Sequence, residues 1–119
     1  MTYDEFNAFC EQMMGTSHVV QWGGADVWKV AGKVFAIGGW DAERGPAFTF
    51  KTTESNFYFL SEEPGYRPAP YFASRGMKWI QYVGGAEVKD DELEYYLSDS
   101  YRLVASGLSK KKRAELGLS

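Results

Sequence analysis

His18-Val-Val-Gln-Trp22, Asp26-Val-Trp-Lys-Val30, Lys33-Val-Phe-Ala-Ile37 and Ala47-Phe-Thr-Phe-Lys51 follow one another with no helical stretch between them. Their apolar residues recur at a period of two, the signature of strands rather than helices. Gly23-Gly24 breaks the first run from the second. Gly32-Lys33 sits between the second and third, where a two-residue hairpin needs a glycine to supply positive φ. Gly38 to Pro46 is a longer, turn-rich connection, and beyond it Phe48 and Phe50 fall on one face. A parallel sheet would require a helix between successive strands. The absence of one over residues 18–51 predicts an antiparallel sheet.

Outward from this block, the flanks are helical. Thr2-Tyr-Asp-Glu5 is a capping-box pattern, followed by Tyr3, Phe6, Phe9, Cys10 and Met13 as one apolar stripe and by Gly15 as a stop. Thr52 or Thr53 is placed to cap a second helix running to about Ser61, with Phe57 and Leu60 buried. Residues 62–71 contain Pro64, Pro68 and Pro70 and so form a loop or extended edge segment. Lys78-Trp-Ile-Gln-Tyr-Val83 reads as a strand ended by Gly84-Gly85. Asp90 is the expected cap of the longest helix, with Leu93, Leu97, Tyr101, Val104 and Leu108 along one face. Gly107 closes it, and Ser109 to Leu116 forms a frayed turn or short helix. The prediction is α+β: a two-layer sandwich of an antiparallel sheet with helices on one face. Trp79 opposes Ile80 and Val27 opposes Trp28, so the other face of the sheet is either covered or free to bind.

The 119 residues fit one domain, 1–119, ending in a basic tail at 109–119. A composition 45% hydrophobic and 24% charged excludes a disordered chain, and 17% aromatic residues exceed the needs of a core alone. The lone Cys10 cannot form an internal disulfide. No signal-peptide pattern opens the chain and no apolar run approaches the ~18 residues of a membrane span, so a cytoplasmic location is expected. The net charge of −3 is unlike a dedicated DNA-binding domain, but charge is segregated. Residues 87–99 carry Glu87, Asp90, Asp91, Glu92, Glu94 and Asp99 against Lys89. Residues 102–119 carry Arg102, Lys110, Lys111, Lys112 and Arg113 against Glu115.

No phosphate-binding loop, dinucleotide fingerprint, nucleophile elbow or zinc-protease motif is present, and the expectation is a non-enzymatic domain without cofactor or metal. Cys10 with His18 would be the only nucleophile–base pair, yet Cys10 lies on the apolar stripe of the first helix, where a thiol is an inert core residue. Asp90, Asp91, Glu92 and Glu94 complement the positive end of a helix dipole and point in different directions, which does not suit one ion. Two sets invite a binding role. Lys110, Lys111, Lys112 and Arg113 form a basic patch able to meet phosphates. Lys29, Lys33, Lys51, Arg67, Arg75 and Lys78 interleave with Trp22, Trp28, Trp40, Tyr71 and Trp79, as in surfaces that stack bases beside a backbone. Within them Lys33, Lys51 and Lys78 are the candidate nucleic-acid contacts, and Trp28, Tyr71 and Trp79 the candidate aromatic surface. The same pattern also arises from packing alone, since strands favour aromatics and edges carry lysines. A small-ligand site would instead require a cavity that joins Arg67, Tyr71 and Lys78.

Several short patterns in order, Phe9-Cys10, Gly15-Thr16, Lys29-Val-Ala-Gly-Lys33-Val-Phe-Ala36, Phe50-Lys51, Arg67-Pro-Ala-Pro-Tyr71, Lys78-Trp79-Ile80 and Ser100-Tyr101-Arg-Leu-Val104 with Leu108, resemble the MmcQ/YjbR family over nearly the whole chain. The family's usual Pro-Gly after the first helix is replaced here by Met14-Gly15-Thr16. The resemblance implies a fold like that of type III secretion chaperones, roughly α-β(3)-α-β(2)-α. It also implies DNA binding, the role predicted for the family, with Lys33 and Lys78 inside the matching patterns. The alternative is a protein-interaction or chaperone-like adaptor, as a monomer or a homodimer.

Overall fold

A computed structural model of the chain describes residues 1–40, 42, 45–84 and 87–118. The middle of the Gly38–Pro46 connection, the strand-ending Gly85 and the last residue of the tail lie outside the described residues. In chain order the elements are α1 (Tyr3–Glu11), β1 (Thr16–Gln21), β2 (Ala25–Val30), β3 (Lys33–Gly38), β4 (Phe48–Lys51), α2 (Glu54–Ser61), β5 (Tyr66–Pro68), β6 (Trp79–Tyr82), α3 (Asp90–Ser106) and α4 (Lys110–Glu115). The six strands form one antiparallel sheet in the order β1-β2-β3-β4-β6-β5. The fold is α+β as the pattern predicted. The order of elements differs from α-β(3)-α-β(2)-α in two places. Four strands precede α2, because Phe48–Lys51 forms a strand between β3 and β6, pairing through Phe50 with the one and through Lys51 with the other, and α4 adds a last helix.

Local chemistry accounts for the helix starts. The Thr2 hydroxyl accepts from the Glu5 amide at 3.1 Å while the Glu5 carboxylate accepts from the Thr2 amide at 2.8 Å, satisfying two donors that α1 cannot pair internally. Thr53 caps α2 through the Asn56 amide at 3.2 Å. For α3 the cap position falls on Lys89, not Asp90, and Asp90 becomes the first helical residue. Acids at Asp90, Asp91 and Glu92 offset the missing side-chain cap by facing the positive end of the helix.

The β2–β3 turn also moves by one residue. Val30 pairs with Lys33, so the turn residues are Ala31 and Gly32, with φ of 51° and 79°. Both central positions of such a turn require positive φ. Gly32 adopts it freely and Ala31 adopts it because both flanking strands are locked in register. A bulge follows in β3. Trp28 opposes Ala36 and Lys29 opposes Val34, leaving Phe35 as the extra residue. Phe35 and Ala36 consequently both enter the core beneath the helices.

That core joins Phe6 and Cys10 of α1, Phe48 and Phe50 of β4, Ile80 of β6, and Leu93, Leu97 and Val104 of α3. Leu116 and Leu118 pack against it from the tail. Gly38 shows how closely α1 approaches. A methyl group built on Gly38 would lie 2.7 and 2.9 Å from two ring carbons of Phe6, itself fully buried. We therefore expect Gly38→Ala to destabilise the protein by roughly 1–3 kcal/mol through overpacking, read as a lower urea midpoint. An unchanged midpoint would contradict this packing.

The opposite face carries a smaller apolar cluster, Ala25, Val27 and Ile37, against which Val34, Trp40 and Phe72 pack. The segment between β5 and β6, including a single 3-10 turn at Ala73–Arg75, folds partly over this face. Among the described residues no helix is long and apolar enough to cross a membrane.

Candidate functional site

The second face is organised by one row of side chains. Val27 of β2, Ile37 of β3, Thr49 of β4, Gln81 of β6 and Arg67 of β5 stand opposite one another across the sheet. Gln81 is fully buried, and its amide ties two segments together. Its carbonyl accepts from Arg67 Nε at 2.9 Å and Nη2 at 2.6 Å, and its amide nitrogen donates to the Trp40 carbonyl at 2.5 Å. Trp40 is thereby fixed beside Phe72, edge to face at 5.5 Å, and Phe72 lies flat on Trp79 at 4.8 Å.

Between these groups opens a cleft of about 380 Å³ lined by Trp22, Val34, Trp40, Tyr71 and Phe72. Its rims come from the β1–β2 hairpin and the β5–β6 connection, and its floor from β3. Trp22 is 49% exposed and Tyr71 56% exposed. Both hold positive φ, 52° and 72°, an uncommon state for bulky residues. Such strain costs about 1–3 kcal/mol and clusters at ligand sites. The Arg75 guanidinium stacks over the Tyr71 ring at 4.4 Å. Lys29, across from Val34, and Lys51, across from Trp79, point to this same face because Trp28, Val30 and Phe50 beside them point to the other. No described carboxylate pairs with Lys29, Lys51 or Arg75. The cleft is a recess of aromatic faces, with the Arg75 guanidinium over Tyr71 and Lys29 across from Val34 of its floor.

Two of the three expected surface aromatics are not on the surface. Trp28 is 6% exposed, lies under α1 with its indole N–H donated to Asn7 at 2.8 Å, and meets the His18 ring at a tilt. Alternation places Trp28 opposite Val27 without saying which side the helices cover. Trp79 does face away from the helices, but Phe72 covers it and leaves 4% exposed. Tyr71 is exposed as expected. Trp22 and Trp40 take the places expected of Trp28 and Trp79, and Phe72 escaped the sequence reading. The one local hint for Phe72 was an aromatic pair directly after Pro70.

Lys33 at the start of β3, Lys51 at the end of β4 and Lys78 just before β6 share one end of the sheet. They do not share one surface. The Lys78 ammonium sits 5.1 and 5.2 Å from the Phe57 and Tyr58 rings of α2, a cation–π arrangement. Lys110, Lys111 and Lys112 are exposed on α4 and Arg113 is half-buried; none lines the aromatic cleft. Nor does the cleft join Arg67 and Lys78 to Tyr71, since Arg67 is bonded to Gln81 and Lys78 to α2.

Burial pushes the Cys10 thiol well above its usual range, which keeps it protonated and unreactive. His18 pairs instead with Asp26 at 2.8 Å. Glu92 of the acidic segment accepts from the Tyr66 hydroxyl at 2.6 Å, and burial together with that carboxylate raises Tyr66. Among the described residues no three His, Cys, Asp or Glu side chains are grouped to hold a metal ion.

These features define a class: an α+β domain whose antiparallel sheet is backed by helices on one side and presents an aromatic cleft on the other. The chain belongs to the YjbR family, whose family model matches residues 11–103. A crystal structure of a Deinococcus radiodurans protein bearing the DUF419 domain superposes with a TM-score of 0.83 at 20% identity, over 99% of this chain and 89% of that one. A Pseudomonas syringae protein of known crystal structure superposes with a TM-score of 0.69 at 18% identity, over 87% of this chain and 98% of that one. At these identities the likeness is one of fold. No curated protein matches the chain in sequence.

Proposed function

We propose that this chain is a non-enzymatic binding domain that receives an unpaired DNA base in the cleft of Trp22, Trp40, Tyr71 and Phe72. The observation that carries this reading is the aromatic lining of the cleft with Arg75 over Tyr71 and Lys29 across from Val34, neither cation being neutralised by a described carboxylate. Aromatic platforms hold bases by stacking, and adjacent cations meet the phosphates that flank them. The cleft volume of about 380 Å³ is in the range of ligand pockets. A net charge of −3 favours a short single-stranded contact over the broad phosphate neutralisation that duplex binding requires.

Tryptophan fluorescence tests the proposal during titration with a short oligothymidine. Saturable quenching is expected, weakening as salt rises. Loss of one stacking partner in Trp22→Ala should reduce affinity by about 1–3 kcal/mol. No saturable change at low ionic strength would end the nucleic-acid reading.

A second reading, a protein-interaction adaptor, draws on the apolar floor of the cleft and on Val19, exposed beside Val27 on the same face. It predicts that the cleft takes an apolar side chain of a partner, with affinity insensitive to salt.

A further inference from the structure

On the helical side of the molecule, the last turns of α3 and the short α4 enclose a separate cleft of about 270 Å³, with Arg102 and Arg113 in its walls beside Tyr101, Ser106 and Leu118. The Nε of Arg113 is buried and has no hydrogen-bond partner. No described carboxylate pairs with this side chain. A buried donor left unmet costs about 1–3 kcal/mol, more when charged, and such a group in a native fold calls for a specific partner.

The neighbouring polar groups are already engaged among themselves. The Tyr101 hydroxyl donates to the Met14 carbonyl and the Ser106 hydroxyl to the Leu103 carbonyl. Asp99 accepts from Arg102, and Glu115 lies 3.7 Å from Lys112. The donors still available to the cleft are therefore the Arg113 guanidinium and the Arg102 N–H groups that Asp99 does not take, with Lys110 and Lys111 adding positive field from the exposed side of α4. The second buried orphan, the Thr49 hydroxyl, lies in the middle of the sheet and lines none of the clefts described here.

We propose that the α3–α4 cleft is an oxyanion site that takes a phosphate group between Arg102 and Arg113. Guanidinium groups arriving from two elements match a tetrahedral, multiply charged anion, since each presents a fork of N–H donors to a different pair of oxygens. The site faces away from the aromatic cleft and does not depend on what that cleft binds. Its phosphate has two possible sources, a free anion and the backbone of a nucleic acid, which share the same chemistry.

The test is an NMR titration of the whole chain with inorganic phosphate at constant ionic strength, chloride being withdrawn as phosphate is added. Saturable shifts are expected at the Arg113 side chain and along residues 99–118. Arg113→Ala and, separately, Arg102→Ala should each weaken the binding about ten-fold or more, the worth of a charged hydrogen bond, whereas Lys111→Ala should leave it nearly unchanged. Should Arg113→Ala fail to fold, Arg102→Ala alone decides. Shifts that do not saturate, or equal weakening by Lys111→Ala, would show only diffuse attraction to the tail and overturn the site. Repeating the titration with oligothymidine present separates the sources: competition at residues 99–118 identifies backbone phosphate, and independent binding identifies the free anion.

Discussion

Replacing Phe48 by alanine will destabilise the protein by about 3–5 kcal/mol. The ring is fully buried in β4, at the middle of the sheet, and meets Phe6 at 5.0 Å, Tyr3 at 5.6 Å and Tyr82 at 6.4 Å. Truncation removes the transfer energy of the ring and leaves a void that its surroundings are poorly able to fill. Phe6 and Tyr3 belong to α1, which Gly38 already admits as closely as the backbone permits. Tyr82 is held on β6 opposite Phe48. Domains of this kind carry a total stability of roughly 5–15 kcal/mol, so the variant should unfold at a much lower urea concentration with an unchanged m-value. A loss under about 1 kcal/mol would mean that α1 closes onto the sheet, against the close-packing expected of such cores.

Ser100→Ala should cost roughly 2–4 kcal/mol although it removes a single oxygen. The Ser100 hydroxyl, fully buried on α3, accepts from the Lys51 amide at 2.8 Å and donates to the Phe35 carbonyl at 2.6 Å. Phe35 is the bulged residue, whose backbone the neighbouring strand does not meet. Lys51 ends β4 at the same level. One hydroxyl thus joins β4 to the bulged residue of β3, beyond their last pair Ala36–Phe50, and fastens α3 to both. Alanine leaves two buried backbone groups without partners, and their desolvation is what the variant loses. Denaturation measures the total, and amide exchange at Lys51 localises it: the amide should exchange markedly faster in the variant. Wild-type protection at Lys51 would rule out this role.

The candidate site was less legible than the fold, for a reason visible in single residues. Trp28 and Trp22 lie in neighbouring β-rich positions, and nothing local distinguishes them. Trp28 enters the core because its strand register turns it toward α1, while Trp22 stands out of the hairpin because its backbone takes positive φ. Trp79 lies on the face without helices, but its cover comes from Phe72, seven residues earlier and in an irregular segment. Arg113 read as one more charge of the tail; its unmet Nε depends on how α4 packs against α3.

What the chain's own pattern determined was the set of elements: the capping box of α1, the period-two runs, the prolines that restrict β5 to an edge, and the long amphipathic stripe of α3. Each is set by contacts within a few residues, through alternation, capping and the conformational limits of glycine and proline. Only the tertiary structure decided which aromatic rings are buried and which form a cleft, which lysines share a surface, and where the bulge at Phe35 needs Ser100. Those outcomes depend on groups distant in sequence meeting across the sheet, and no local periodicity encodes which side of a strand its partner will cover.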